Sequence, residues 1–202
     1  RLLQMFDLTF DVSVASYLVP GLKGACVYTV PAKGVKYLSV LKIIRDYKLT
    51  AATLVPSILN YIRPYFKELL LPDLKICILT AEASNYLMVD EWQHCIPNAL
   101  VYNFYGPTEA TIWCTYYKSR KSENEENSYN GMLGIGKPFS TVEAVILNHD
   151  DLIVTGNEKG ELCISSDQLT AGYLNDREKT GKAFFLRDGK RFYRTGDLCR
   201  TG

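Results

Sequence analysis

Short apolar runs alternate with helix-length segments along the first part of the chain. The runs at 25–29, 52–55, 75–79, 100–104 and 112–117 are mostly apolar, β-branched or aromatic, and they predict strands. Segment 35–47 carries apolar residues at helical spacing, and further helices are predicted over 12–22, from Pro56 to Arg63 and over 86–95. This alternation is typical of parallel βα units, so we predict an α/β subdomain over residues 1–118.

The pattern of apolar and polar positions changes in the rest of the chain. Residues 119–130 are polar and lack periodic apolar positions, which predicts an exposed loop. Beyond them, short apolar runs at 141–147, 152–154, 161–165 and 191–193 are separated by glycines, and 176–184 predicts one short helix. We therefore predict a small β-rich subdomain over 131–202, either an antiparallel sheet or a barrel.

Composition places the chain among globular proteins and excludes several classes of partner. Hydrophobic residues make up 47% and charged residues 22% of the 202 residues, which allows a buried core. The net charge of +1 gives no field that would attract nucleic acid. No apolar run reaches the roughly 18 residues of a membrane span. The six cysteines form no Cys-x-x-Cys pair, so we predict reduced, mostly buried thiols in a cytoplasmic protein.

The most informative run of the chain is Asn-Phe-Tyr-Gly-Pro-Thr-Glu at 103–109. It follows an apolar strand, and Gly106 and Pro107 force that strand into a turn. In open α/β sheets, ligands bind at the carboxyl ends of the strands. The hydroxyl of Thr108 beside the carboxylate of Glu109 suits a phosphate and its Mg²⁺, because Mg²⁺ takes one or two carboxylates together with phosphate oxygens.

Several ordered motifs resemble those of the adenylate-forming ligases, the superfamily of acyl-CoA synthetases, luciferases and amino-acid adenylation domains. Residues 105–109 are similar to the family's Tyr-Gly-Pro-Thr-Glu motif, and 193–197 to its Tyr-Arg/Lys-Thr-Gly-Asp motif. Residues 160–164 with 172–173 resemble its Gly-Glu-Leu-x-Ile…Gly-Tyr motif. Phe-Asp-Val-Ser at 10–13 is similar to a motif of the amino-acid branch, which includes nonribosomal peptide synthetases and D-alanine–carrier protein ligases. The resemblance implies an internal fragment of an acetyl-CoA synthetase- or luciferase-like large domain.

This resemblance implies ATP and Mg²⁺ as cofactors. It makes Glu109 the candidate Mg²⁺ ligand and Thr108 a phosphate contact, so these two are the candidate catalytic residues. Asp197 would accept hydrogen bonds from both ribose hydroxyls. The alternatives are a surface turn carboxylate for Glu109 and an Asx turn for Asp197.

The base-binding residues come from the same run. Tyr105 would stack on adenine, with a core aromatic as its alternative. Gly106 allows the unusual backbone of the turn and is assigned to the nucleotide site with it. Asn103 offers an amide that could bind an adenine edge or satisfy neighbouring backbone.

Asp11 distinguishes between branches of the family. In the amino-acid branch, an Asp at this place pairs with the α-ammonium group of the substrate. The alternative is an N-cap for the helix predicted over 12–22. By resemblance, uncharged residues would form most of the substrate pocket, which favours a small or apolar amino acid; they are Val12, Ala15, Thr53, Leu79, Ala81, Phe104, Ile112 and Trp113.

The resemblance therefore implies an AMP-forming ligase that adenylates an amino acid and passes it to the phosphopantetheine thiol of a carrier protein. One alternative is a fatty or aryl acyl-CoA synthetase, which would not need Asp11, and another is a degenerate homologue without catalysis. The family's phosphate loop would precede residue 1, and its catalytic lysine would follow residue 202. The chain alone is therefore expected to be nearly inactive.

Overall fold

A computed structural model of the chain describes residues 1–201; Gly202, the last residue of the predicted β-rich subdomain, lies outside the described residues. The chain divides into two compact units. The first unit comprises Arg1–Phe104 and Tyr117–Gly136, and the second comprises Tyr105–Tyr116 and the chain from Lys137 onward. The Gly-Pro-Thr-Glu residues thus group with the second unit, although the sequence pattern places them in the α/β subdomain.

The first unit contains a parallel sheet with helices between its strands. The strands are β1 (Leu2–Gln4), β2 (Val27–Thr29), β3 (Ala51–Leu54), β4 (Ile76–Leu79) and β5 (Leu100–Tyr105), in the order β2-β1-β3-β4-β5. The helices are α1 (Val12–Leu22), α2 (Lys36–Asp46), α3 (Pro56–Ile62) and α4 (Tyr86–Cys95). Because all of these strand pairings are parallel, the predicted α/β class is confirmed.

Local chemistry explains where these helices begin and end. Pro56 occupies the first turn of α3, where its missing N–H costs nothing. The helix ends at Ile62, before Pro64, and a 3-10 turn follows over Arg63–Tyr65. Asn85 caps α4, because its side chain accepts a hydrogen bond from the Met88 N–H at 3.1 Å.

The core of the first unit lies on the faces of this sheet. Trp92 of α4 is fully buried with Leu3, Leu54 and Leu59. Its indole N–H faces the Cys77 sulfur at 3.4 Å, so the polar end of the ring has a partner inside the core.

Shorter strands follow. They are β6 (Thr115–Ser119), β7 (Ser128–Tyr129), β8 (Met132–Leu133) and β9 (Lys137–Pro138). In the first unit β7 and β8 form a hairpin, in which Ser128 faces Leu133. In the second unit Thr115 and Tyr116 of β6 pair antiparallel with β9.

The second unit is built on an antiparallel sheet, as predicted for this part of the chain. Its strands are β10 (Val142–Leu147), β11 (Gly160–Ser166), β12 (Phe184–Arg187) and β13 (Lys190–Cys199), and α5 (Arg177–Ala183) precedes β12. The order is β10-β11-β13-β12, with β10 and β12 at the edges. Leu147, Cys163 and Phe192 form a small buried cluster in this unit.

Some predicted elements are wrong in detail. The strand predicted over 112–117 begins only at Thr115, because Thr111 and Ile112 have φ values of 55° and 74°, which strands do not allow. The strand predicted over 152–154 is reduced to a single bridge between Leu147 and Ile153. Cys26, predicted to be buried in a strand, is exposed.

Asn124 departs from the prediction of an exposed loop over 119–130, because it is fully buried. Its Oδ1 accepts from the Tyr117 hydroxyl at 3.0 Å and from the Arg120 N–H at 3.1 Å. Its Nδ2 donates to Asp90 Oδ1 at 2.6 Å and to Ser119 Oγ at 2.8 Å. One buried amide thus organises a segment that has no apolar anchor.

We expect Asn124→Ala to lower the free energy of unfolding by about 2 kcal/mol or more, because each buried polar group left unpaired costs roughly 1–3 kcal/mol. Urea denaturation measures this loss. Glu126→Ala, at an exposed position of the same segment, is the control and should change stability by less than about 0.5 kcal/mol. Equal effects of the two substitutions would show that the buried amide does not organise the segment.

Candidate functional site

The chain leaves β5 through residues 106–113, which we call the site loop. A Cβ on Gly106 would lie 2.6 Å from the Trp113 Cα, closer than side chains come to backbone, so the turn requires glycine. After Pro107 the loop forms a 3-10 turn over Thr108–Ala110. The Cys114 N–H then donates to the Tyr105 carbonyl at 2.8 Å and closes the base of the loop.

A second segment of the same unit, residues 168–173, binds the site loop, and we call it the support segment. The side-chain amide of Gln168 donates to the carbonyls of Ala110 and, at 2.8 Å, Trp113. The Thr111 hydroxyl donates to the Gln168 carbonyl, and the Thr170 N–H donates to the Glu109 carbonyl at 2.8 Å. These bonds fix a loop that contains consecutive left-handed, non-glycine residues, a conformation that needs such support.

The support segment is itself anchored to β13. The Arg191 guanidinium donates to the carbonyls of Thr170 at 2.7 Å and Ala171 at 2.8 Å. The same guanidinium lies 4.0 Å from the centre of the Phe184 ring, a distance that suits a cation–π contact. The antiparallel sheet therefore sets the position of the site loop through Arg191.

Glu109 is held by tyrosines. Its Oε1 accepts a hydrogen bond from the Tyr173 hydroxyl at 2.6 Å. Burial by itself would raise the pKa of Glu109, but hydrogen bonds from Tyr173, the loop backbone and Tyr193 outweigh burial and lower this pKa. The positive charge of Lys179, whose ammonium lies 3.9 Å from the centre of the Tyr173 ring, also lowers the pKa of Glu109. Glu109 is therefore an anionic carboxylate in a fixed orientation.

Tyr105 and Asp197 meet although they are distant in sequence. The Tyr105 hydroxyl donates to Asp197 Oδ2. Burial raises the pKa of Tyr105 well above its usual value, and the bond to Asp197 raises it further, so the hydroxyl keeps its proton and donates. Asp197 is exposed, whereas Tyr105 is half-buried. The second unit thus combines an aromatic ring, an accessible carboxylate and, on the site loop, Thr108 and Glu109.

The donor set fits Mg²⁺ bound together with phosphate. Thr108 is exposed beside Glu109 and adds a second hard oxygen. Within residues 1–201, no group of three or more His, Cys, Asp or Glu side chains could hold a metal ion by itself. A single carboxylate that shares the ion with substrate phosphates is the arrangement typical of Mg²⁺.

The candidate pocket residues of the first unit lie mainly toward the carboxyl ends of its strands. Leu79 of β4 is aligned with Leu54 of β3 and Asn103 of β5. Leu79 is fully buried and Thr53 is 4% exposed, so their side chains belong to the packed interior. Ala81 is exposed and has a φ of 69°. Phe104 is partly exposed at the end of β5, and Ile112 and Trp113 are partly exposed on the site loop.

The amide of Asn103 is engaged within the first unit. Its Oδ1 accepts from the Ser84 hydroxyl at 3.0 Å, and its Nδ2 donates to the Gly134 carbonyl at 3.0 Å. These contacts correspond to the alternative in which the amide satisfies neighbouring groups. We therefore leave Asn103 out of the nucleotide contacts proposed below.

Asp11 stands at the start of α1, but its side chain makes no capping hydrogen bond. Its Oδ2 is buried, and no group within residues 1–201 donates to it. Because an unpaired buried carboxylate oxygen is costly, a donor or cation bound at this atom would be stabilising. Val12, which follows it, is buried, and Ala15 is half-buried.

The contacts of Gln168 and Tyr173 were not predicted from the sequence. Tyr173 belongs to the Gly-Tyr pair of the Gly-Glu-Leu-x-Ile…Gly-Tyr motif. That motif identified its position but did not assign it a role. Gln168 lies in a polar stretch with no local pattern that would identify it.

No helix within residues 1–201 is long and apolar enough to cross a membrane.

Comparisons with known proteins identify the family to which the chain is similar. The family model described as "AMP-binding enzyme" matches residues 1–174. The chain is 34% identical over 212 residues to the nonribosomal peptide synthetase vlms of Lecanicillium sp, covering 99% of the chain and 2% of that protein. It is 32% identical over 199 residues to the D-alanine–D-alanyl carrier protein ligase of Bacillus licheniformis, covering 96% of the chain and 39% of the ligase. The chain thus spans well under half of these relatives.

A solved structure shows the same architecture. The Vibrio cholerae adenylation domain AlmE, in complex with glycyl-adenosine-5'-phosphate, superposes with a TM-score of 0.85 at 32% sequence identity. The match covers 97% of this chain and 37% of that domain.

We expect Tyr173→Phe to raise the pKa of Glu109, because the variant loses the hydrogen bond that lowers this pKa and keeps the burial that raises it. In the unmodified chain, the lowered pKa stabilises the fold above the ordinary value of 4.5, and this contribution is lost as the pH falls through the folded-state pKa. A carboxyl ¹³C NMR titration of Glu109 measures the change. Tyr65→Phe, in the first unit, is the control and should leave the pKa of Glu109 unchanged. An unchanged Glu109 pKa in Tyr173→Phe would contradict the role of this hydrogen bond.

Proposed function

Because the chain belongs to the family of AMP-binding enzymes, we propose that it is part of an ATP-dependent ligase that forms an aminoacyl-AMP. In this proposal the aminoacyl group then passes to the thiol of a carrier protein. The observation that carries the amino-acid assignment is the buried, unpaired Oδ2 of Asp11.

Asp11 distinguishes an amino acid from other carboxylic acids. An α-ammonium group brings one positive charge and several N–H donors, which is what a buried carboxylate oxygen requires. A fatty or aryl acid has no such group and would leave this oxygen unpaired. The relatives support the assignment, since they include a peptide synthetase and a D-alanine–D-alanyl carrier protein ligase.

The second unit supplies the proposed nucleotide contacts. We assign the Tyr105 ring, which lies directly before the turn at Gly106, to adenine and Asp197 to the ribose hydroxyls, where each charge-assisted hydrogen bond contributes about 1.5–3 kcal/mol. Thr108 and Glu109 would hold a phosphate oxygen and Mg²⁺. When bound, Mg-ATP supplies the α-phosphate that the substrate carboxylate attacks, with release of pyrophosphate. Because Glu109 is anionic and oriented before the ion arrives, binding costs little reorganisation.

The substrate side chain is proposed to be small or apolar. Thr53 and Leu79 are buried in the interior of the first unit and are left out of the proposed contacts. The candidate contacts that are at least partly exposed are uncharged, namely Ala81 and Phe104 of the first unit and Ile112 and Trp113 of the site loop. A charged side chain would find no opposite charge among these residues. The D-alanine ligase relative also supports a small amino acid and a carrier-protein acceptor.

In the full-length protein, Asp11→Ala should lower amino-acid-dependent ATP–pyrophosphate exchange by about 100-fold or more. Breaking a buried ion pair costs roughly 3–5 kcal/mol, and about 1.4 kcal/mol corresponds to tenfold. Asp73→Asn, at an exposed position, is the matched control and should keep the exchange rate. Exchange that persists in Asp11→Ala, or that is supported equally by an acid without an amine, would favour an acyl-CoA synthetase.

Glu109→Gln should raise the Mg²⁺ concentration needed for half-maximal exchange by about tenfold or more, because the amide keeps an acceptor for Tyr173 but loses the charge that holds the ion. A Mg²⁺ titration at fixed ATP measures this shift. Glu178→Gln, on exposed α5, serves as the control. An unchanged Mg²⁺ requirement in Glu109→Gln would remove Glu109 from the metal site.

A further inference from the structure

The segment that carries Asp197 is a bulge in β13. Glu161 of β11 faces Leu198, whereas Cys163 faces Arg194, so Leu162 alone stands opposite the three residues 195–197. Gly196 in the bulge has a φ of 76°, in the left-handed region. A bulge of this kind removes backbone groups from the ladder and points a side chain in a new direction.

The carboxylate of Glu161 replaces the lost ladder partner. Its Oε1 accepts from the Gly196 N–H at 3.0 Å, and its Oε2 accepts from Arg194 Nη1 at 3.0 Å. Within the bulge, the Thr195 hydroxyl donates to the Leu162 carbonyl at 2.8 Å and accepts from the Asp197 N–H at 3.0 Å. Gly196 is thus held by the side chain of Glu161, and the Asp197 N–H is held by the hydroxyl of Thr195.

Arg194 in turn is fixed on two other sides. Its Nη2 donates to Asp151 Oδ1 at 2.6 Å, and the guanidinium lies 4.6 Å from the centre of the Phe185 ring. The side chains of Arg194 and Glu161 are 27% and 26% exposed, so solvent screens this pair only partly. Glu161 therefore binds the bulge from a rigid support.

We propose that Glu161 is a positioning residue for Asp197. By binding the bulge, Glu161 holds the Asp197 carboxylate where it reaches the ribose hydroxyls of ATP. This inference rests on the nucleotide contacts proposed above. Glu161 has no contact with ATP in this proposal and acts only through Gly196 and the bulge.

The test is Glu161→Gln in the full-length protein, which keeps the shape of the side chain but presents an N–H₂ group to Arg194 or to the Gly196 N–H. We expect the KM for ATP in pyrophosphate exchange to rise about tenfold while kcat changes little, since a binding contact is weakened. The preference for ATP over 2′-deoxy-ATP should fall by a similar factor, a change that a general loss of stability would not produce. Glu143→Gln, on β10 and paired at the surface with Lys190, is the control and should change neither quantity.

Asp197→Asn separates the two levels of the proposal. If this variant keeps the wild-type KM for ATP and the wild-type preference over 2′-deoxy-ATP, the ribose contact itself is wrong. If Asp197→Asn loses both but Glu161→Gln keeps both, the role of Glu161 is overturned and the ribose contact stands.

Two further measurements guard against a variant that fails to fold. Arg194→Lys removes the planar group that holds Glu161 and should raise the KM for ATP in the same direction. In the unmodified protein, the Gly196 amide should be protected from hydrogen exchange by its bond to Glu161. A Gly196 amide that exchanges as fast as an exposed loop amide would overturn the proposal without any substitution.

Discussion

The structure of the site depends on how the backbone of the site loop finds hydrogen-bond partners after it leaves the sheet. Residues 106–113 have no ladder of their own, and Thr111 and Ile112 take left-handed conformations. The side-chain amide of Gln168 donates to carbonyls at both ends of this stretch, Ala110 and Trp113. Without these bonds, both carbonyls would lose the Gln168 donor, and the left-handed residues between them would lose this support. The position of Glu109 therefore depends on Gln168, which supports the backbone of the site loop and has no role in the proposed chemistry.

In the second unit, neutral tyrosine hydroxyls orient two carboxylates, those of Glu109 and Asp197. Tyr173 donates to Glu109, and Tyr105 donates to Asp197. A phenol hydroxyl fixes the direction of a carboxylate without cancelling its charge, whereas a lysine or arginine would. The carboxylates thus remain available for a cation or for ribose hydroxyls. Asp11 of the first unit differs, because its buried oxygen has no donor within residues 1–201, as expected of a group whose partner is the substrate.

Local pattern predicted much of the fold and only part of the site. Strands β3, β4 and β5 and helices α2 to α4 follow from apolar periodicity, Pro56 and the segment lengths, whereas β1, with three residues, is too short to show a pattern. Resemblance to a family supplied Glu109 and Asp197. The bonds of Gln168 and Tyr173 span 55 and 64 residues of sequence, and nothing local encodes such pairings. The apolar residues at 112–114 predicted a strand because composition cannot show that Thr111 and Ile112 take positive φ values.

We propose that Tyr105 and Asp197 act as one unit in nucleotide binding. The most direct test is a double-mutant cycle on the Kd for Mg-ATP of the full-length protein, with Tyr105→Phe, Asp197→Asn and the double variant. Because the Tyr105 hydroxyl orients the Asp197 carboxylate, the predicted coupling energy is about 1 kcal/mol or more. Effects that add within about 0.3 kcal/mol would contradict the claim and show that the two residues bind independently.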